Sequence, residues 1–234
     1  MPAYHSYPKS SVQKHPGLIL IHEIWGLDAH IKNVADRFAA EGYSVLAPNL
    51  FHTMPFDGKI SHSLLDDMMN PATRDDAQKK IREVMAPISS PEYAVGALAE
   101  LKACVDYLAA DPHTNGKIAV LGFCFGGTYA FHLATQDSRI LAAVPFYGQP
   151  PMPDEISKIS VPILAFYGDE DERLIETLPK LREDMKARNK QFEAIVYPNA
   201  GHAFFNDTNK NRYRAEPARD SWEKSLAFLK KNLG

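Results

Sequence analysis

The stretch KIAVLGFCFGGTYAFHLAT, residues 117–135, reads as a buried strand, a glycine-flanked turn and a helix. A run that is apolar on consecutive positions suits a strand covered on both faces, and the segment behind the glycines has helical spacing. Cys124 stands at the turn, with Gly122 two residues before it and Gly126 two after. This is the G-x-nucleophile-x-G pattern of a nucleophile elbow, in the strand-turn-helix context that the motif requires. Glycines are needed because the sharp turn strains the backbone and packs it against its neighbours without room for side chains. The helix that follows turns its free N–H groups and positive end toward the thiol, which favours a thiolate. Cys104 offers the contrast: it lies beside the apolar face of the 91–110 segment, has no neighbouring glycines, and reads as packing.

Working outward, short apolar runs recur at helix-length intervals: GLILIHE (17–23), YSVLAPN (43–49), LAAVPFYG (141–148), VPILAFYGD (161–169) and FEAIVYP (192–198). Between them, Ala97, Leu98, Leu101, Val105 and Leu108 fall on one helical face behind a Ser90–Pro91 start signal, and SWEKSLAFLKKNL closes the chain as an amphipathic helix. Alternation of this kind implies an α/β fold, a doubly wound, mostly parallel sheet flanked by helices on both faces. Residues 51–90 are polar, contain Pro55, Pro71 and Pro87 with Pro91 just beyond, and read as a loop and helix excursion. No repeat or linker divides residues 1–234, so one domain is expected.

A formal net charge of −3 with interspersed signs gives no electrostatic footprint for nucleic acid or anionic lipid. No segment has the apolar length of a signal peptide or membrane span, and a soluble cytoplasmic protein is expected. The two cysteines lack the spacing of a zinc site and are too few for a disulfide framework, so both are expected as reduced thiols.

In a doubly wound sheet ligands sit beyond the carboxyl ends of the strands, so polar residues in those loops are the first candidates. A cysteine nucleophile needs a base, and the base needs a group that fixes its tautomer. In elbow folds these follow the nucleophile in the order acid, histidine. Behind PILAFYG comes DEDE, and behind EAIVYP comes NAGHAFF. His202 is the base candidate, with Gly201 expected to bend the backbone beside it. Asp171 is the acid candidate, with Asp169 and Asp154 as competitors. HEIW, residues 22–25, follows the first strand; there Ile24 would join Phe125 in donating N–H groups to an oxyanion. His22, Glu23 and His30 lie close in sequence, but the helical H-E-x-x-H metal pattern fails because Gly26 occupies the second histidine position. No metal is expected. Trp25, Phe51, Phe125, Phe204 and Phe205 suggest an apolar pocket for a small ligand, and equally fit an ordinary core.

The chain resembles the dienelactone hydrolases, the carboxymethylenebutenolidase group of α/β-hydrolases. The resemblance runs from PGLILIHEIWGLDAHIKNVADRFAAEGYSVLAPNLF through NGKIAVLGFCFGG and FYGDEDERL to NAGHAFFNDTNKNRY. It implies the α/β-hydrolase fold with shortened N-terminal edge strands, and a triad of Cys124, Asp171 and His202. It also implies that Glu23 contacts the resting cysteine and takes its proton when substrate arrives. The family's arginine four residues after the histidine is Asn206 here, and Arg82 stands near the position of a second carboxylate-binding arginine. With Trp25 and Phe204, these are the candidate substrate contacts.

The expected chemistry is acyl transfer from an ester or lactone to water through a thioester, without metal or organic cofactor, in a monomer or homodimer. Peptides are disfavoured because a thiolate leaves more readily than an amine. A non-catalytic small-molecule binding protein on the same scaffold is the rival from another class, and a docking module built on residues 51–90 is a third.

Overall fold

The computed structural model describes residues 1–9, 13–56, 64, 67, 70 and 72–234. In chain order it comprises β1 (Ala3–Ser6), β2 (His15–Ile21), α1 (Ala29–Ala40), β3 (Ser44–Pro48), α2 (Arg74–Ile88), α3 (Pro91–Ala110), β4 (Thr114–Phe123), α4 (Phe125–Gln136) and β5 (Ile140–Phe146). A short 3₁₀ turn (Ile156–Lys158), β6 (Ile163–Gly168), α5 (Glu172–Ala187), β7 (Phe192–Tyr197) and α6 (Ala215–Leu233) complete it.

All seven strands share one sheet in the order β1-β3-β2-β4-β5-β6-β7, and every pair is parallel except β1 with β3. The consecutive apolar runs are its centre: Leu18 to Ile21, Ile118 to Leu121 and Ala142 to Val144 are all buried. Strands covered on both faces have no polar side to alternate with, which is why the runs are continuous. The strand that sequence pattern missed is β1. Its four residues, AYHS, carry no apolar run, and their place at an antiparallel edge asks for none.

The chain runs one way along the sheet from β2 through α1 to β3, and the other way through α3 to β4 and through α4 to β5. Right-handed crossovers therefore set α1 on one face and α3 and α4 on the other. The last helix, α6, joins α1: the rings of Phe38 and Trp222 lie 4.3 Å apart and the Arg37 guanidinium sits 4.1 Å over Trp222. Ser90 caps α3 by accepting the Tyr93 N–H at 3.1 Å, with Pro91 at the first helical position, as the start signal indicated. In the 51–90 excursion the described part contains α2, while residues 57–63, 65, 66, 68, 69 and 71 lie outside the described residues. No helix among the described residues is long and apolar enough to cross a membrane.

The reversal of direction makes the carboxyl ends of β2 and β4 a topological switch point. Ile21 pairs with Gly122 there, and Phe123–Phe146, Phe146–Phe166 and Gly168–Tyr197 continue the line of strand ends across the sheet. Six loops leave from this edge, after β2, β3, β4, β5, β6 and β7.

Candidate active site

Cys124 leaves β4 with φ 56° and ψ −115°, a left-handed conformation that costs a non-glycine residue on the order of 1–3 kcal/mol. Its neighbours show why glycine flanks it. A Cβ on Gly122 would lie 2.1 Å from the Gly126 carbonyl oxygen, and one on Gly126 would lie 2.2 Å from that of Ile21. The Cys124 N–H donates to Phe146 O at 3.0 Å and the Gly126 N–H to His22 O at 3.1 Å, which tie the turn to β5 and to the end of β2. Cys124 holds the N-cap position of α4 and remains partly exposed.

His202 lies in the loop after β7, where the chain bends at Asn199 (φ 55°) and Ala203 (φ 66°). Gly201 does not supply that bend: it has no positive φ, and a Cβ there would meet nothing closer than 3.6 Å. His202 Nδ1 donates to Asp171 Oδ2 at 2.6 Å, and the ring also hydrogen-bonds the Cys124 sulfur. Burial acts to lower the His202 pKa, but negative charge on Cys124 and the bonds to Asp171 and Cys124 outweigh it and raise it to about 10. The ring still keeps 29 % of its side-chain surface exposed, facing a cavity. Asp171 is at the N-cap position of α5 but makes no capping bond with its side chain. The nearby competitors Asp169 and Asp154 form no such contact with His202 among the described residues.

Glu23 follows β2, in a turn closed at Gly26 (φ 77°), and only 2 % of it is exposed. Its Oε2 accepts the Asn206 Nδ2–H at 2.6 Å, while Oε1 has no hydrogen-bond partner. Asn206 is oriented from its other end, since its Oδ1 accepts the Thr208 N–H at 3.1 Å and the Thr208 hydroxyl at 2.6 Å. Burial raises the Glu23 pKa, against the lowering influence of His30, of the Asn206 bond and of His202. His22 is committed to the scaffold: Nδ1 donates to Glu23 O at 2.6 Å and Nε2 accepts the Leu50 N–H at 3.1 Å. Both ring nitrogens are thereby used, which removes His22 as a metal ligand.

Ile24 and Phe125 line the same cavity as Cys124 and His202. Phe125 is the first residue of α4, where an N–H has no intrahelical acceptor, and neither its N–H nor that of Ile24 enters the turn and cap bonds around them. The cavity measures about 500 Å³. Ile88, Ala94, Leu98 and Tyr129 form an apolar side, and Thr128, Gln149, His132, Glu155 and Arg173 a polar one.

Three of the candidate substrate contacts stand elsewhere. Arg82 is exposed on α2, Phe204 is fully buried against Phe146, Tyr147 and Tyr197, and Trp25 is buried; none of them lines the cavity. Asn206 contacts Glu23 in place of the cavity. Two residues that sequence pattern did not single out do line it. Tyr147, just beyond β5 at φ 37°, lays its ring 4.9 Å from that of His202, and its buried hydroxyl has no hydrogen-bond partner. Burial, then the charges of Glu23 and Cys124 and the approach of the hydroxyl to the Glu23 carboxylate, push its pKa well up. Arg173, on the first turn of α5, gives the polar side a guanidinium.

The arrangement matches known proteins along its whole length. The family model of the Dienelactone hydrolase family matches residues 1–233. A provisionally named carboxymethylenebutenolidase of Saccharolobus solfataricus is 34% identical over 92% of this chain and 88% of its own. One from Escherichia coli is 31% identical over 100% of this chain and 83% of its own. The crystal structure of a provisionally assigned dienelactone hydrolase from Klebsiella pneumoniae subsp. pneumoniae superposes with a TM-score of 0.81 at 29% identity, covering 97% of this chain and 91% of that one. The chain therefore has the α/β-hydrolase fold and belongs to the dienelactone hydrolase family, hydrolases that act on carboxylic ester bonds.

Proposed function

We propose that this chain hydrolyses small esters or lactones through a thioester formed on Cys124, with His202, Asp171 and Glu23 moving the protons. The observation that carries the reading is the His202–Asp171 bond of 2.6 Å behind a cysteine at a strained elbow, opening onto a cavity of ligand size.

At rest His202, held by Asp171, is an imidazolium. Glu23 takes the S–H proton and the thiolate attacks the acyl carbon, forming the C–S bond. The carbonyl oxygen gathers negative charge between the Ile24 and Phe125 N–H groups. Collapse breaks the C–O bond, and the leaving oxygen takes the proton of His202. Neutral His202, held by Asp171, then removes a proton from water, whose oxygen attacks the thioester. The C–S bond breaks, the acid leaves, and Glu23 returns its proton to sulfur. Atoms and charges balance over the cycle, and no step calls for a metal or cofactor.

The apolar wall accepts the acyl or alcohol portion, while Arg173 and Gln149 give the other side hydrogen-bond donors. One domain over residues 1–234, acting as a monomer or homodimer, accompanies this reading. A cytoplasmic location does too, because both cysteines are free thiols. The test is turnover of a chromogenic aryl ester. Wild type should hydrolyse it and Cys124→Ala should not, whereas equal turnover by the two would remove Cys124 from the reaction.

A further inference from the structure

Two buried oxygens at the carboxyl end of the sheet lack a hydrogen-bond partner among the described residues: Oε1 of Glu23 and the hydroxyl of Tyr147. The first, when ionised, can only accept, and the second has a proton to give. Orphans of this kind are unfavourable, because each has left water without gaining a bond in return. The two belong to one neighbourhood. Tyr147 lines the cavity shared by Cys124 and His202, and its hydroxyl approaches the Glu23 carboxylate without closing a bond.

Tyr147 is held with little freedom. Its N–H donates to Phe166 O at 2.7 Å, which ties the end of β5 to β6, and its backbone sits at φ 37°. A non-glycine residue keeps such a conformation only where its surroundings over-determine it, and such positions gather at functional sites. The ring packs against those of His202 at 4.9 Å, Phe204 at 5.5 Å, and Phe123 and Phe146 at 6.1 Å each. Phenylalanine would make all of these ring contacts and bury no unpaired hydroxyl, so packing does not account for the oxygen. The O–H can still turn, and Oε1 is the acceptor left open, since Asn206 occupies Oε2 at 2.6 Å.

We infer that the Tyr147 hydroxyl is the second donor to Glu23: it bonds Oε1 of the ionised carboxylate and holds it ready for the Cys124 proton. Asn206 and Tyr147 then take one oxygen each. A carboxylate oxygen has two lone pairs, so Glu23 can receive the sulfur's proton with both donors in place. Tyr147 keeps its own proton throughout, because burial opposes a phenolate. It is a positioning residue, acting on the reaction through Glu23. This inference rests on the proposed thioester reaction, since only there does Glu23 have a proton to take.

The test is the pH dependence of kcat/KM for a chromogenic aryl ester in wild type, Tyr147→Phe, Glu23→Gln and the double variant, with thermal melts alongside. The other titratable groups that bear on Glu23 are Asp28 and His30, from the N-cap and first turn of α1, and His202, from the loop after β7. Tyr147→Phe leaves all of them in place. Ionised Glu23 is the active form, so activity rises with pH through its pKa. A hydrogen bond to the charged form lowers that pKa, and its loss raises it. The acid limb of Tyr147→Phe should therefore move to higher pH by about one unit, and acylation in a single turnover should slow roughly 10-fold, the scale of one hydrogen bond to a charged group. Thioester hydrolysis and the melting temperature should change little. In the Glu23→Gln background the same substitution should have no further effect, because the carboxylate it serves is gone. A crystal structure of wild type above the acid limb should also place Tyr147 Oη about 2.5–2.7 Å from Oε1. An unmoved limb in Tyr147→Phe overturns the inference alone, as does a hydroxyl bonded elsewhere in that crystal structure. So does an equal loss in both backgrounds, which would set the hydroxyl on His202 or on substrate. If Glu23→Gln is as active as wild type, the proposed base fails and the inference with it. A wild type inactive on aryl and alkyl esters and on lactones overturns the thioester reading itself.

Discussion

Asp171 occupies the N-cap position of α5 and yet caps nothing; its Oδ2 is spent on His202 Nδ1 at 2.6 Å. N-cap aspartates are ordinarily stabilising by about 1 kcal/mol through a bond to the helix backbone. Here the carboxylate is turned away from the helix to fix an imidazole. Asp171→Asn should therefore lower kcat by about 10³–10⁴-fold, the scale seen when the acid of such a triad is lost, while the melting temperature changes little. Steady-state kinetics and a thermal melt on the same sample check both halves. A variant that keeps its activity returns Asp171 to the helix terminus.

The two cysteines should separate sharply toward a thiol reagent. Cys104 is buried on α3, and its thiol is pushed up to about 12 by burial and by the charge of Glu100. Cys124 is partly exposed at a helix N-terminus beside His202. Iodoacetamide at neutral pH should label Cys124 at least about 100-fold faster, read by peptide mass mapping. Equal rates, or labelling of Cys104 first, would remove the special status of the elbow thiol.

The glycines around the site should fall into two groups. At Gly122 and Gly126 an added methyl would meet backbone at 2.1 and 2.2 Å, contacts that no side-chain motion can relieve. Gly122→Ala and Gly126→Ala should each destabilise by several kcal/mol or prevent folding. Gly201→Ala should cost less than about 1 kcal/mol and leave turnover near wild type. Chemical denaturation of the three variants gives the comparison, and a Gly201 variant as damaged as the others would contradict the backbone geometry assigned to the His202 loop.

The elbow was legible because its requirements are local: a nucleophile, two glycines and a strand-to-helix change lie within a dozen residues. The placement of Asp171 and His202 followed from the order of strands, since each stands just beyond the carboxyl end of one. Residues defined by contacts distant in sequence were less readable. Tyr147 ends an apolar run and reads as core, and only the fold shows that its ring meets His202, 55 positions away by number. Arg82 shows the converse: a matching distance along the chain placed it near a binding arginine, but the polar excursion that carries it sets it on the exposed side of α2. β1 escaped because an edge strand of four mostly polar residues has no periodicity to detect.

The central claim is a covalent bond between substrate and Cys124, and rapid-quench mass spectrometry of the intact protein during turnover of an aryl ester tests it most directly. Within the first turnover the mass of the wild-type chain should rise by that of the acyl group, and digestion should place the addition on the peptide that holds Cys124. The species should build up in His202→Ala if acylation outlasts the loss of the base that activates water, and it should be absent from Cys124→Ala. Full turnover with no acyl addition at any time, or an addition on another residue, would contradict the thioester mechanism.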